Sequence, residues 1–172
     1  MKFEIPFEEK TYLNQIRLVI PVIYSGLRIK IKRNITIGVF LILVGILLLQ
    51  FDVDFGGLPI IIGPVFLYQS YRDKKSYLLR KSTVLGVIHQ ELDSKREILK
   101  KGIFEFRPNS LFYKDELSES NTPWSEFEGF KVIERNVLMI VNQKEGKILV
   151  IGEKEVGNKD FNTIVGFLES KI

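Results

Sequence analysis

His89 is the one imidazole in this 172-residue chain, and the chain has no cysteine. Without thiols there are no disulfide scaffolds, thiolate metal sites or cysteine nucleophiles, and one imidazole excludes a multi-histidine metal centre. On a helix each step turns about 100°, so His89 and Glu91, two positions apart, diverge by about 200° and do not face one substrate. A catalytic base would also need a partner and a pocket. Glu116, Glu119, Glu126 and Glu128 are acids of the kind that flank a glycosidic bond, but nothing in their spacing fixes a pair at the required separation. They read as a solvated face. Gly56-Gly57 lacks the Lys-Ser/Thr that completes a phosphate loop, and Ser82-Thr83 and Ser118 to Ser120 have no histidine to activate them. The residue types point away from an enzyme and call for no cofactor and no metal.

Four residues are candidates for binding instead. Trp124, the sole tryptophan, is either a ligand anchor or a core residue, and a tryptophan at a strand edge in a small domain is more often core. Lys100, Lys101 and Arg107 are the basic group that could meet an anionic headgroup, each cation contributing about 1 kcal/mol near such a surface. The same lysines also serve the plainer purpose of holding a membrane-proximal surface close to an anionic leaflet.

The elements that must carry these residues follow from the distribution of charge. Overall composition, with 45% hydrophobic residues, a net charge of +4 and a mean hydropathy of +0.08, resembles a soluble protein. The average hides a segregated chain. Residues 34 to 51 contain no charge, nor do residues 55 to 71. A bilayer core of about 30 Å needs roughly 20 apolar helical residues, with about 17 as the lower limit. The first run is apolar on every side of a helix, which suits a membrane better than a chain this small. The second contains Gly56, Gly57, Pro59, Gly63 and Pro64. Its proline at 64 predicts a kink, which a membrane helix tolerates when neighbours satisfy the freed carbonyl. The short linker Gln50-Phe51-Asp52-Val53-Asp54 makes the pair a transmembrane hairpin.

Residues 1 to 33 hold seven Lys or Arg against three acids, and residues 72 to 101 hold nine against four. Basic residues beside membrane segments mark the cytoplasmic side, so both flanks, and both termini, are expected inside. Residues 102 to 172 carry nine bases and twelve acids, so the basic excess belongs to a membrane collar and not to a nucleic-acid surface. The first apolar run starts too late for a cleavable signal peptide, and no lipidation motif is present.

Tyr12, Ile16, Val19, Ile20, Ile23, Tyr24 and Leu27 fall on one helical face, with Asn14, Gln15, Arg17 and Ser25 elsewhere and Pro21 bending the pattern. Two readings stay open: an amphipathic helix at the membrane interface, or a helix packed on the C-terminal domain. Residues 72 to about 100 predict a helix continuing from the second span, with Gly86 as a possible break. After Gly102 the pattern becomes that of strands. Ile103 to Phe106 and Leu111 to Tyr113 flank the turn Arg107-Pro108-Asn109-Ser110, and Glu116 to Thr122 reads as a polar loop. Phe130 to Ile133, Val137 to Val141 and Ile148 to Ile151 follow, with turns between them. Phe161, Ile164, Val165 and Leu168 predict a terminal amphipathic helix with Asn158 as its N-cap.

Pro123-Trp124-Ser125-Glu126-Phe127-Glu128, followed by three hairpin strands and a final helix, resembles the C-terminal domain of the YcxB-like proteins. These are bacterial membrane proteins with a two-span hairpin and a cytoplasmic fold of pleckstrin-homology (PH) type, and the resemblance covers nearly the whole chain. Ile151-Gly152-Glu153-Lys154 departs from relatives that carry a proline and a basic residue there, which puts any pocket at that point in doubt. The expected fold is thus α+β, a transmembrane helical hairpin plus a small antiparallel β-roll, PH-like, capped by a C-terminal helix. Its expected parts are residues 1–33, an N-terminal amphipathic segment; 34–71, the hairpin; 72–101, a charged helical connector; and 102–172, the cytoplasmic domain. The expected function is a non-enzymatic, multi-pass protein of the bacterial cytoplasmic membrane. Its partners are the lipid bilayer and another protein or a second copy of itself, with no nucleic acid. The alternative is a module that responds to anionic lipid headgroups at the inner leaflet.

Overall fold

A computed structural model describes residues 1–51 and 57–172 of the chain. In chain order the elements are β1 (Lys2–Pro6), α1 (Glu9–Ile23), α2 (Ser25–Gln50), α3 (Gly57–Lys95), β2 (Lys101–Phe106), β3 (Ser110–Lys114) and β4 (Glu119–Pro123). A 3-10 turn at Trp124–Glu126 leads into β5 (Gly129–Ile133), β6 (Asn136–Asn142), β7 (Lys147–Gly152), α4 (Glu153–Val156) and α5 (Asn158–Glu169). The protein is α+β, with two compact units: residues 1–23 together with 88–172, and residues 24–87.

The first unit contains two antiparallel sheets, β1-β2-β3-β4 and β5-β6-β7. The hairpins anticipated around Pro108, Glu134 and Gly146 are present, because apolar runs with strand propensity are separated there by turn residues. At the β5–β6 turn Glu134 and Arg135 both have positive φ, 47° and 58°, the backbone that a two-residue hairpin of this hand requires. The Glu153 amide donates to the Arg135 carbonyl, and the Arg135 guanidinium pairs with the Glu153 carboxylate, so α4 holds a turn that has no glycine.

β6 reads as an unbroken apolar run because both its faces are covered. Val137, Met139 and Val141 point into the main core with Phe106, Leu111, Trp124 and Ile151, and α5 closes that core with Phe161, Ile164 and Leu168. Leu138 and Ile140 point the other way and meet Val19 and Val22 of α1. Of the two readings left open for α1, the structure supports packing on the domain.

Several expectations need correction. The N-terminal segment begins with a strand that the helical reading of Tyr12 to Leu27 does not include: Lys2–Pro6 pairs with β2 in the register Phe3↔Phe104 and Ile5↔Gly102, alternating exposed with half-buried or buried residues. The buried positions of α1 are Gln15, Val19, Ile20 and Val22, so Gln15 lies on the packed side and not off it. Glu119–Pro123 is a strand, missed because it is polar; its ladder to β3 depends on backbone groups, not on side-chain hydropathy. The C-terminal helix is capped by Gly157, with φ of 85°, and Asn158 is its first residue. Gly86 does not break α3.

Within residues 24–87, α2 and α3 run antiparallel. Tyr24 meets Tyr77 edge-on, the Ser70 hydroxyl donates to the Ile31 carbonyl at 3.1 Å, and Lys30 pairs with Asp73 at 3.0 Å. Gly38 and Gly63 meet further along: a Cβ on Gly38 would lie 2.9 Å from the Gly63 carbonyl oxygen. Among the described residues one helix, α2, is long and apolar enough to cross a bilayer. The second uncharged run does not form a helix of its own; from Gly57 onward it is the first part of the 39-residue α3. Asp52, Val53 and Asp54 of the expected linker, and Phe55 and Gly56 of the second run, lie outside the described residues.

Candidate functional site

Trp124 belongs to the core. It is 6% exposed, stacks on Phe106 with centroids 6.1 Å apart, and meets Phe127 and Phe167 at 5.2 and 5.6 Å. Its indole N–H donates to the Arg107 carbonyl at 3.0 Å, which satisfies the one polar atom it buries.

The three candidate cations do not form one site. Lys101 opens β2 and Arg107 follows its end, about 20 Å apart at the rise of an extended strand. The Lys101 ammonium is 2.8 Å from the Glu4 carboxylate, and that hydrogen bond raises the lysine pKa and lowers the glutamate's. Arg107 is 2.8 Å from Glu105 and lies over the Phe112 ring at 4.5 Å. Lys100 contributes backbone: its carbonyl accepts from the Phe7 amide at 2.8 Å, and its own amide donates to Glu116. The structure therefore brings Lys100 and Lys101 together as sequence neighbours but leaves Arg107 at the far end of the strand. The headgroup alternative gains no common pocket from them.

A cavity of about 270 Å³ lies in the first unit, beside Lys101. Ile5, Val19, Phe104 and Leu149 supply apolar walls, contributed by β1, α1, β2 and β7. Tyr12, Gln15, Tyr113, Asp115 and Glu155 supply the polar side, and Glu8 and Lys101 also line it. Gln15 is buried, and its side-chain amide donates to Glu155 Oε2 at 2.6 Å; the same oxygen accepts from the Gly152 amide at 2.6 Å. Burial raises the Glu155 pKa above the usual glutamate value. These two hydrogen bonds oppose that shift, and the Glu8 carboxylate adds to it.

On the opposite side the Tyr113 hydroxyl donates to Asp115 Oδ2 at 2.7 Å, while Asp115 Oδ1 accepts from the amides of Leu117 and Ser118. Burial pushes Asp115 upward, but the hydroxyl and the two amides outweigh it and hold its pKa below the ordinary aspartate value. Tyr113 is raised by burial and then by its bond to Asp115. Tyr12 is raised by burial and by the charges of Glu91 and Asp115. Burial is thus the main cause of the raised values at Glu155, Tyr113 and Tyr12, with neighbouring carboxylates adding to each, whereas donated hydrogen bonds hold Asp115 down.

None of these cavity residues except Lys101 was a candidate from the sequence. One signal was present: Gln15 shares the i, i+4, i+7 spacing of Val19 and Val22, a polar residue on a packed stripe. The others converge from segments up to 150 positions apart, Ile5 to Glu155, and no local pattern records that. Among the described residues no group of three or more His, Asp or Glu is placed to hold a metal ion. No family model, curated protein or solved structure matches this chain.

Proposed function

We propose that this chain is a non-enzymatic protein of the bacterial cytoplasmic membrane. In this reading α2 and the apolar start of α3 form a two-span hairpin and a cytoplasmic PH-like domain docks a protein partner. The observation that carries the reading is the apolar surface of residues 24–87. Phe40 is 62% exposed on α2 and Ile61 is 69% exposed on α3, with Val39, Leu43, Leu47, Leu58 and Val65 also exposed. Apolar surface on this scale is unfavourable in water and is covered at no such cost by lipid. Nine basic residues, Arg28 to Arg33 and Arg72 to Lys81, sit on the same end of the antiparallel pair, which favours that end at the cytoplasmic face.

Two sheets of four and three strands with a helix across the core support a PH-like assignment, as does the resemblance to YcxB-like proteins. β5 offers a docking edge: it ends its sheet, so one flank has no neighbouring strand, and Val132 on it is 49% exposed. A partner's extended segment could add there by backbone hydrogen bonds.

The cysteine-free chain makes topology directly measurable. With Gln50→Cys and Ser118→Cys introduced singly, a membrane-impermeant maleimide on intact cells should label the first and reach the second after lysis alone. Labelling of Ser118→Cys from outside overturns the cytoplasmic domain. For the docking role, a photo-crosslinking residue at Lys131 should yield a discrete adduct in native membranes. The adduct should disappear when Val132→Pro, whose amide faces away from β6, blocks the edge; an unchanged adduct sinks strand addition.

A further inference from the structure

We propose that the cavity between α1 and the β1–β2–β3 and β7 strands binds a small organic cation, an ammonium group on an apolar or aromatic body. Four observations converge on that chemistry. The volume, about 270 Å³, falls just under the usual range for ligand pockets, so the occupant is small. Ile5, Val19 and Phe104 are themselves buried, and with Leu149 they make a floor that suits an apolar body.

The charge around the cavity is unbalanced. Glu8, Asp115 and Glu155 line it, and the single lining base, Lys101, has its ammonium 2.8 Å from Glu4, a carboxylate outside the lining. A cation entering this space meets uncompensated negative charge, whereas an anion meets repulsion. The aromatic rings agree: Phe7 and Tyr12 lie 5.7 Å apart with Tyr113 also in the wall, and ring faces attract ammonium groups through their quadrupole. Burial raises the Tyr12 and Tyr113 pKa most, and the Asp115 charge adds to both. This inference does not depend on the docking role, since it concerns a different surface of the unit.

The test uses the full chain in detergent micelles, titrated calorimetrically with phenethylammonium, 2-phenylethanol and phenylacetate, with micelle-only titrations subtracted. The cation should bind at least about tenfold more tightly than its neutral and anionic counterparts. Asp115→Asn and Glu155→Gln, which keep hydrogen-bond acceptors at both positions, should each weaken it about five- to tenfold. Lys101→Gln, at an exposed position, should strengthen it, and Ile16→Phe should block it by filling the space. Circular dichroism melts establish that each variant is folded. Equal binding of the three compounds, or unchanged binding by folded Asp115→Asn and Ile16→Phe, overturns the proposal.

Discussion

Replacing Trp124 with alanine removes an indole that touches Phe106, Phe127 and Phe167 at once and leaves the Arg107 carbonyl without its donor. The expected loss is about 3–5 kcal/mol of unfolding free energy, as for other buried aromatic truncations, measurable by denaturant titration. Amine binding should persist in the folded fraction, since Trp124 does not line the cavity. Glu155 makes a different prediction. Its folded pKa lies above the unfolded value, so the folded chain holds that proton more tightly and stability falls as pH rises from about the ordinary 4.5 through the raised value. Glu155→Gln keeps an acceptor for Gln15 and Gly152 and should flatten this decline above pH 4.5. Other groups facing the space, Glu8, Asp115, Tyr12, Tyr113 and Lys101, remain in both proteins, so the difference between the two stability profiles isolates Glu155. Identical profiles would refute the raised pKa.

Helices and strands differ in how much local pattern specifies them. The run Val137 to Val141, the turns at Pro108 and Gly146 and the stripe of Phe161, Ile164 and Leu168 could be read directly, because each has a period or a turn residue of its own. β1 and β4 could not: β1 offers only Phe3 and Ile5 as alternating apolar residues and β4 is polar, and both exist because β2 and β3 present unpaired backbone to them. The approach of α2 and α3 was likewise hidden, since Gly38 and Gly63 are ordinary small residues until the helices meet. A Cβ at Gly63 would lie 2.6 Å from the Ile42 side chain and 2.8 Å from the Gly38 carbonyl oxygen. Gly63→Val should therefore cost about 1–3 kcal/mol of helix pairing. The readout is disulfide formation between Tyr24→Cys and Tyr77→Cys, which should fall in the valine background; undiminished crosslinking would show that the close contact does not matter.

For the chain taken whole, the consequence is a discontinuous domain: residues 24–87 are inserted between β1–α1 and the rest of the first unit. If that unit folds cooperatively, Ile5→Ala, at the start of the chain, and Ile164→Ala, near its end, should lower the same single unfolding transition, each by about 2–5 kcal/mol. An effect of Ile164→Ala alone would mean that the N-terminal strand is an appendage. The insertion also redistributes charge: residues 24–87 hold nine bases against three acids, and the remainder sixteen against eighteen. The basic collar is thus a property of the helix pair, while the two-sheet unit is mildly acidic. Three of those acids, Glu8, Asp115 and Glu155, line the cavity.

The sequence by itself determined the α+β class, the apolar run at 34–51 that α2 carries up to Gln50, the segregation of charge and the strands β2, β3, β5, β6 and β7, because each is written in the composition or period of a contiguous stretch. The tertiary structure decided that Trp124 is core, that Lys101 and Arg107 are each held by a neighbouring carboxylate, that Lys2–Pro6 completes a sheet, and that Gln15 and Glu155 meet across 140 residues. The physical reason is the range of the interactions. Hydropathy and turn preference act over a few residues along the chain, whereas ladder pairing, ion pairing and the shape of a cavity depend on distances that exist only after the chain has folded.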